Sequence, residues 1–310
     1  MMIKAVGPKE FAAAFGNAPH VYNSVAFAEH NRTKCDDSDV RYLLATDSRV
    51  RAGMVVGRRD GVLRSPFSAP FGGLTVNRDQ QLDVLESVWH DIADYAAEEG
   101  LALRITLPPT IYDTPTTVKS ADILSRLGLA LSTDLNYHII LGQGDFADVV
   151  SRTGRNKLRQ ALANGFFFAR MTSDDASIAR FYRVIESNHK SKGRPMSMSL
   201  ADVLSTARLV GADFFMLTYD GADVAAAMVY PVADGIVQVI NWGDVPGYEH
   251  LRPMNMLPCC IYDHYSSLGL RVLDLGPASS APGVPDVGLS VYKESLGAIP
   301  SLKFTFETVK

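Results

Sequence analysis

Between residues 40 and 65 apolar and polar positions alternate in three short runs, "RYLLATDSRVR" and then the hairpin "AGMVVGRRDGVLR". A period of two predicts antiparallel strands, and Asp60-Gly61 marks the turn between the second and third. The same grammar returns at "FFMLTYDGADVA" and "AAMVYPVADGIVQ", with Asp234-Gly235 at the matching turn. A helical run follows each meander, "DQQLDVLESVWHDIADYAAEEG" in one half and "MNMLPCCIYDHYSSLG" in the other. Next come "EEGLALRITLP" and "SLGLRVLDLGP", each a glycine, a strand-like run and a proline. The closing phrases, "ILSRLGLALSTDLNYHIIL" and "VYKESLGAIPSLKFTFETV", align Leu127-Gly128 with Leu296-Gly297. Four landmarks in one order predict one unit built twice. Each unit reads as α/β, a mixed, mainly antiparallel sheet flanked by helices. The strand reached through its helical crossover is expected to lie parallel to a neighbour. In "DFADVVSRTGRNKLRQALANGFFFARMT" the leucines at 158 and 162 predict a helix that ends at Asn164-Gly165 and runs into a strand. The boundary is placed at "GQGDF", giving units 1–144 and 145–310.

Length agrees with that halving, since 310 residues suit two domains of ordinary size. Apolar residues make up 47% and charged residues 21%, enough for each half to bury its own core. No apolar run reaches membrane-spanning length, and "MMIKAVGPKEFAAAFG" lacks the pattern of a secretory leader. Cys35, Cys259 and Cys260 form no zinc or disulfide spacing. A cytoplasmic protein without metal is the expectation. Net charge is −4, yet ten basic residues stand between Arg152 and Arg194 against three acids. That local excess suits a phosphate-bearing ligand, either a nucleotide-linked sugar or a tRNA backbone. Arg155 and Arg159, spaced i,i+4, are expected to grip a phosphate together; a solvated helix face is the plainer alternative.

The order of elements is that of the GNAT acyltransferase fold, and its duplication resembles the FemABX-type peptidyltransferases and the related acetyltransferase-6 group. The phrases that carry the likeness are "TGRNKLRQALANG", "ADVAAAMVY", "DGIVQVINWGDVPGYEHLRPMNML", "LGLRVLDLGP" and "VGLSVYKESLGA". The likeness covers 145–310 well and 1–144 by pattern only. It implies an acyltransferase or aminoacyltransferase with its main site in the second unit. Its donor would be aminoacyl-tRNA or acyl-CoA, no cofactor being tightly bound, and its acceptor a cell-wall or surface-polysaccharide precursor. An acyl-CoA-dependent N-acetyltransferase and a non-catalytic binding protein of the same fold are the rivals. Acetyl-CoA users hold the pyrophosphate on a glycine-rich loop at a helix N-terminus. Here "YEHLRPMNMLPCC" offers Arg252 without that glycine, and Pro253 removes an amide donor.

The resemblance also implies a functionally important lysine at Lys293, where the first half has Leu124, and a proton-donating tyrosine at Tyr292. The expected role of Lys293 is to stabilise the carbonyl oxygen or bind donor phosphate; the alternative is an exposed lysine pairing with Glu294 or Glu307. Asp274 lies in the apolar strand "RVLDLGP", where a carboxylate needs a partner. It is either a base or orienting group, or a structural acceptor for amides of the next loop. Trp242, Asp244, Tyr248 and Glu249 sit in "NWGDVPGYEHLRP", which borders the expected cleft, so an aromatic there can stack on a base or sugar and an acid can take an amine proton.

Overall fold

The computed structural model describes residues 1–16 and 18–309. Contacts gather the chain into two compact units. One holds Met1–Leu135, Ser279–Pro285 and the segment from Ser301; the other holds Asn136–Ala278 and Asp286–Pro300.

The first unit contains β1 (Met2–Val6), α1 (Pro8–Phe15), α2 (Val25–His30), β2 (Val40–Thr46), β3 (Val50–Arg59), β4 (Val62–Ser65), β5 (Leu74–Thr75), α3 (Leu82–Glu98), β6 (Ala102–Thr106) and α4 (Thr114–Arg126). β7 (Ala130–Ile140) follows. The second unit contains α5 (Phe146–Val149), α6 (Arg152–Leu162), β8 (Phe166–Arg170), α7 (Asp175–Ser191), α8 (Leu200–Val210), β9 (Asp213–Tyr219), β10 (Ala222–Ala233), β11 (Ile236–Asp244), α9 (Pro253–Ser267) and β12 (Val272–Pro277). The hairpin β13 (Ser279–Ala281) and β14 (Val284–Pro285), then α10 (Val287–Ser295) and β15 (Ile299–Glu307), complete the chain.

The strands of the two units repeat one plan. In the first, β1, β2, β3 and β4 are antiparallel neighbours and β4 meets β6 in parallel, Val62 beside Ala102. In the second, β8, β9, β10 and β11 are antiparallel and β11 meets β12 in parallel, Ile236 beside Val272. The hairpins at 52–64 and 226–238 occupy the same places, as their shared Asp-Gly turns predict.

A sixth strand closes each sheet, and it comes from the other half of the sequence. β15 pairs antiparallel with β6, Thr305 beside Thr106, while residues 136–140 of β7 pair with β12, Val272 beside Ile140. A single cut between 144 and 145 therefore does not describe the packing of the closing strands. Edge pairing satisfies backbone groups equally well whichever half supplies the strand, so local pattern alone carries no preference.

Helices begin where side chains take up orphan amides: Ser151 accepts from Gly154 N, Asp174 from Ser177 N, and Asp286 from Leu289 N. Ser199 and Asp202 form a reciprocal capping box on α8. The first unit's core centres on the buried Trp89, whose Nε1 donates to Ser120 Oγ at 2.9 Å.

Candidate active site

In the second unit the parallel pairing of β11 and β12 lasts only from Ile236–Val272 to Gln238–Asp274. Both strands then deform. β11 bulges against β10 around Ile240, and β12 shifts register against β7 between Asp274 and Gly276, where Gly276 takes φ +73. Beyond this point β11 leaves β12 and runs on to Asp244 paired with β10.

Trp242 and Asp244, two residues apart on β11, share one face. Tyr292 of α10 meets them there. Its ring centroid lies 5.9 Å from that of Trp242, and its hydroxyl donates to Met254 O at 2.7 Å in the first turn of α9. Burial, and then the negative charge of Asp244, hold the Tyr292 phenol above its ordinary range, so it stays protonated. Burial also raises the Asp244 carboxyl, with Glu249 adding to it; Lys192 and the Asn188 amide act in the opposite direction. A protonated phenol beside a half-buried carboxyl of heightened proton affinity is an acid–base pair.

Tyr292 also lines an open cleft of about 390 Å³ between α6 and α10. Ser151, Thr153 and Lys157 form one wall, and Gly288, Val291, Tyr292, Glu294 and Ser295 the other. The two helices can approach because Gly154 has no side chain: a Cβ there would lie 2.0 Å from Ser295 O. Ser151 N donates to that same carbonyl at 3.2 Å.

The cleft cation is Lys157, not the expected pair. Arg155 Nε donates to Ala147 O at 2.9 Å, Arg159 is exposed, and neither lines the cleft. Helix phase explains the difference. The buried stripe of α6 is Gly154, Leu158 and Ala161, whereas Leu162 is 56% exposed, so Thr153 and Lys157 turn inward. A glycine four residues before Leu158 was the available signal. Glu249 accepts from Gly247 N at 2.9 Å, and Arg252, at φ +65, donates Nε to Gln160 Oε1 at 3.3 Å. The turn carrying Tyr248, Glu249 and Arg252 is thus tied to the far end of α6, where Asn164 also donates to Leu251 O.

Asp274 and Lys293 are both interior. Asp274, 0% exposed, accepts from Asn136 Nδ2 at 2.8 Å, Gln238 Nε2 at 2.7 Å and Gly276 N at 2.8 Å. Of its two readings, the structural acceptor of a loop amide is the one this geometry matches. Lys293, 2% exposed, donates to the carbonyls of Leu275, Gly276 and Pro277 at 2.8, 2.9 and 2.9 Å. An ammonium has three protons, and these three bonds engage them all. Neither an exposed lysine nor one free to bind a carbonyl oxygen of substrate fits this arrangement. Lys293 instead moors the end of β12, with the Tyr137 ring 5.9 Å from its nitrogen.

The first unit fills the corresponding gap. After Ser65 the chain doubles back, Gly72 N donating to Thr106 O at 2.9 Å and Gly73 N to Ser65 Oγ at 3.0 Å. Phe71 is thereby buried among His20, Tyr22 and Tyr112. Among the described residues no group of His, Cys, Asp and Glu is placed to hold a metal, and no helix is long and apolar enough to cross a membrane.

No family model matches the chain, and no curated protein matches it. Solved structures do. FemX superposes with a TM-score of 0.71 at 12% identity, over 100% of this chain and 98% of its own. The C-terminal domain of a putative lysylphosphatidylglycerol synthetase from Agrobacterium fabrum gives 0.62 at 11% identity, over 98% of this chain and 93% of its own. A tandem GNAT protein from the clavulanic acid biosynthesis pathway gives 0.56 at 12% identity, over 99% and 98%. The fold is therefore the duplicated, FemX-like form of the GNAT fold.

Proposed function

We propose that the second unit transfers an acyl or aminoacyl group from an activated donor to an amine or hydroxyl of a cell-wall or surface-polysaccharide precursor. The observation that carries this reading is the Tyr292–Asp244 pair, set where β11 and β12 part, with Tyr292 also lining the cleft that holds Lys157. Asp244 takes the proton from the acceptor as its nitrogen or oxygen bonds to the donor carbonyl. The tetrahedral intermediate then collapses, the bond to the leaving oxygen or sulfur breaks, and Tyr292, its hydroxyl turning from Met254 O, supplies that atom with a proton that Asp244 afterwards returns to the phenolate. A base of raised proton affinity and an acid that remains protonated suit those two roles. Lys157 offers the charge for a phosphate of the donor or the acceptor. The likeness to FemX supports an aminoacyl donor over acyl-CoA, as does the start of α9, where Arg252 and Pro253 stand in place of a glycine-rich loop.

The test is a transfer assay with labelled aminoacyl-tRNA or acetyl-CoA as donor and nucleotide-linked muramyl or sugar precursors as acceptors. Tyr292→Phe should keep binding and lose about a hundredfold or more in turnover, as loss of a general acid does. Transfer from acetyl-CoA alone would establish the rival donor. Donor binding without turnover in the parent protein would establish a binding protein.

A further inference from the structure

Asp244 is held from behind by the last turns of α7. Asn188, 6% exposed, donates Nδ2 to Asp244 O at 2.7 Å and to Asp244 Oδ1 at 3.0 Å. One turn later, Lys192 donates Nζ to Asn188 Oδ1 at 3.2 Å. A primary amide has a donor side and an acceptor side, and which way it faces follows from its partners. With the ammonium on its oxygen, Asn188 must present N–H to the carboxylate. The approach needs Gly243, since a Cβ there would stand 2.6 Å from Asn188 Cγ.

We propose that Asn188 and Lys192 are positioning residues for Asp244: Asn188 fixes the carboxylate beside Tyr292, and Lys192 fixes the orientation of Asn188 while supplying positive charge to the same site. The proposal rests on reading Asp244 as the proton acceptor of the transfer. Three charged or titratable groups act at this site, Lys192 from α7, Glu249 from the turn after β11 and Tyr292 from α10. Burial and Glu249 favour the protonated carboxyl, which is of no use as a base. Lys192 and Asn188 oppose them and favour the ionised form. α7 thereby does more than cover the sheet; its C-terminal end sets the charge state of a group on β11.

The experiment is a carboxyl-carbon NMR titration of the full chain labelled at aspartate, the Asp244 resonance being assigned by its loss in Asp244→Asn. Lys192 is exposed, so Lys192→Met should fold as the parent does. Its Asp244 midpoint should rise by about half a pH unit to one unit, whereas Lys192→Arg should stay near the parent. High salt should move the parent toward the Met variant, because exposed charge is screened. Asn188→Asp, which sets a second carboxylate against the first, should raise the midpoint further. Unchanged midpoints in both Lys192→Met and Asn188→Asp would overturn the proposal. The titration uses no substrate. A shifted midpoint in a protein that transfers nothing supports the proposal and counts against the transfer reading; an unshifted one in an active transferase does the reverse.

Discussion

Replacing Lys293 by methionine removes the ammonium and keeps the length of the side chain. On the expectation drawn from the sequence, an important cleft lysine, the substitution would lower turnover and leave the fold intact. The geometry requires a different outcome. Three carbonyls, of Leu275, Gly276 and Pro277, lose a charged donor at 2.8–2.9 Å, and the first two bonds are buried. Hydrogen bonds to a charged group contribute about 1.5–3 kcal/mol each, but here one ammonium serves all three and its desolvation opposes them by several kcal/mol. The net loss is set mainly by the carbonyls left without a donor, giving about 3–5 kcal/mol, as when one partner of a buried polar pair is removed. Against a domain stability of about 5–15 kcal/mol that is a large fraction. Urea unfolding should show a lower midpoint at an unchanged slope, and hydrogen exchange should quicken at the amides of Leu275, Gly276, Ala278 and Ser279. An exposed lysine would change stability by no more than about 0.5 kcal/mol. A Lys293→Met protein with the parent's urea midpoint and unaltered exchange would refute the mooring role and return Lys293 to the chemistry.

Three further outcomes follow from the same geometry. His20 is 3% exposed, neither ring nitrogen reaches a hydrogen-bond partner, and burial lowers its pKa from 6.5 to about 3, against a slight opposing effect of the Gly72 backbone. Below about 6.5 the unfolded chain takes up a proton that the folded one refuses, so stability should fall by about 1.4 kcal/mol per pH unit down to about 3; His20→Phe should flatten that segment of a melting-against-pH curve, and identical slopes would contradict it. Gly154→Ala gains about 1 kcal/mol of helix propensity but drives a methyl against Ser295 O, so thermal unfolding should show a net loss of about 1–3 kcal/mol; a stabilised variant would disprove the close approach. Asp274→Asn turns an amide N–H toward one of three donors, and a cost of about 2–4 kcal/mol in urea unfolding is expected, while a neutral effect would mean that the carboxylate is not the hub of that cluster.

The duplication was legible because its landmarks are local. Asp60-Gly61 and Asp234-Gly235 announce hairpins whatever surrounds them, and the helix after each meander forces a parallel return. The source of the closing strands was not legible, since "LNYHI" and "KFTFE" both alternate and the choice of neighbour is made by non-local pairing. Near the proposed site, Trp242 and Asp244 were placed by the loop they border and Tyr292 by the family resemblance, and the rings of Trp242 and Tyr292 lie 5.9 Å apart. Thr153 and Lys157 could not be read while Leu162 was taken as an inward anchor; one exposed leucine rotated the apparent face of the whole helix. Lys293 misled for a related reason. Lysine is almost never fully buried, and its burial here depends on three carbonyls of a strand end whose kink at Gly276 the sequence does not announce.

The contrast between the two units gives a physical reason for expecting one site rather than two. Both sheets contain a parallel pair reached through a helix, and in both the leading strand leaves its partner after a few residues: β4 after Ser65 and β11 after Gln238. In the first unit the chain at once folds back. Gly72 and Gly73 bring the backbone close enough to bond Thr106 and Ser65, a Cβ on Gly72 would stand 2.7 Å from Ser65 Oγ, and Phe71 fills the space with aromatic carbon. Opening that gap would expose several buried rings, each worth about 1.5–3 kcal/mol of burial. In the second unit the leading strand bulges around Ile240 and continues to Asp244 beside β10, and polar groups stand there in place of a ring: the Tyr292 hydroxyl and the Asp244 carboxylate. These groups already have partners, Met254 O for the Tyr292 hydroxyl and the Asn188 amide for Asp244, so a substrate would exchange polar bonds rather than displace apolar contact. A first unit sealed by its own hydrophobic plug and a second whose corresponding position carries fixed polar groups differ in kind, and that difference is why the proposed chemistry is assigned to the second unit, beside Tyr292.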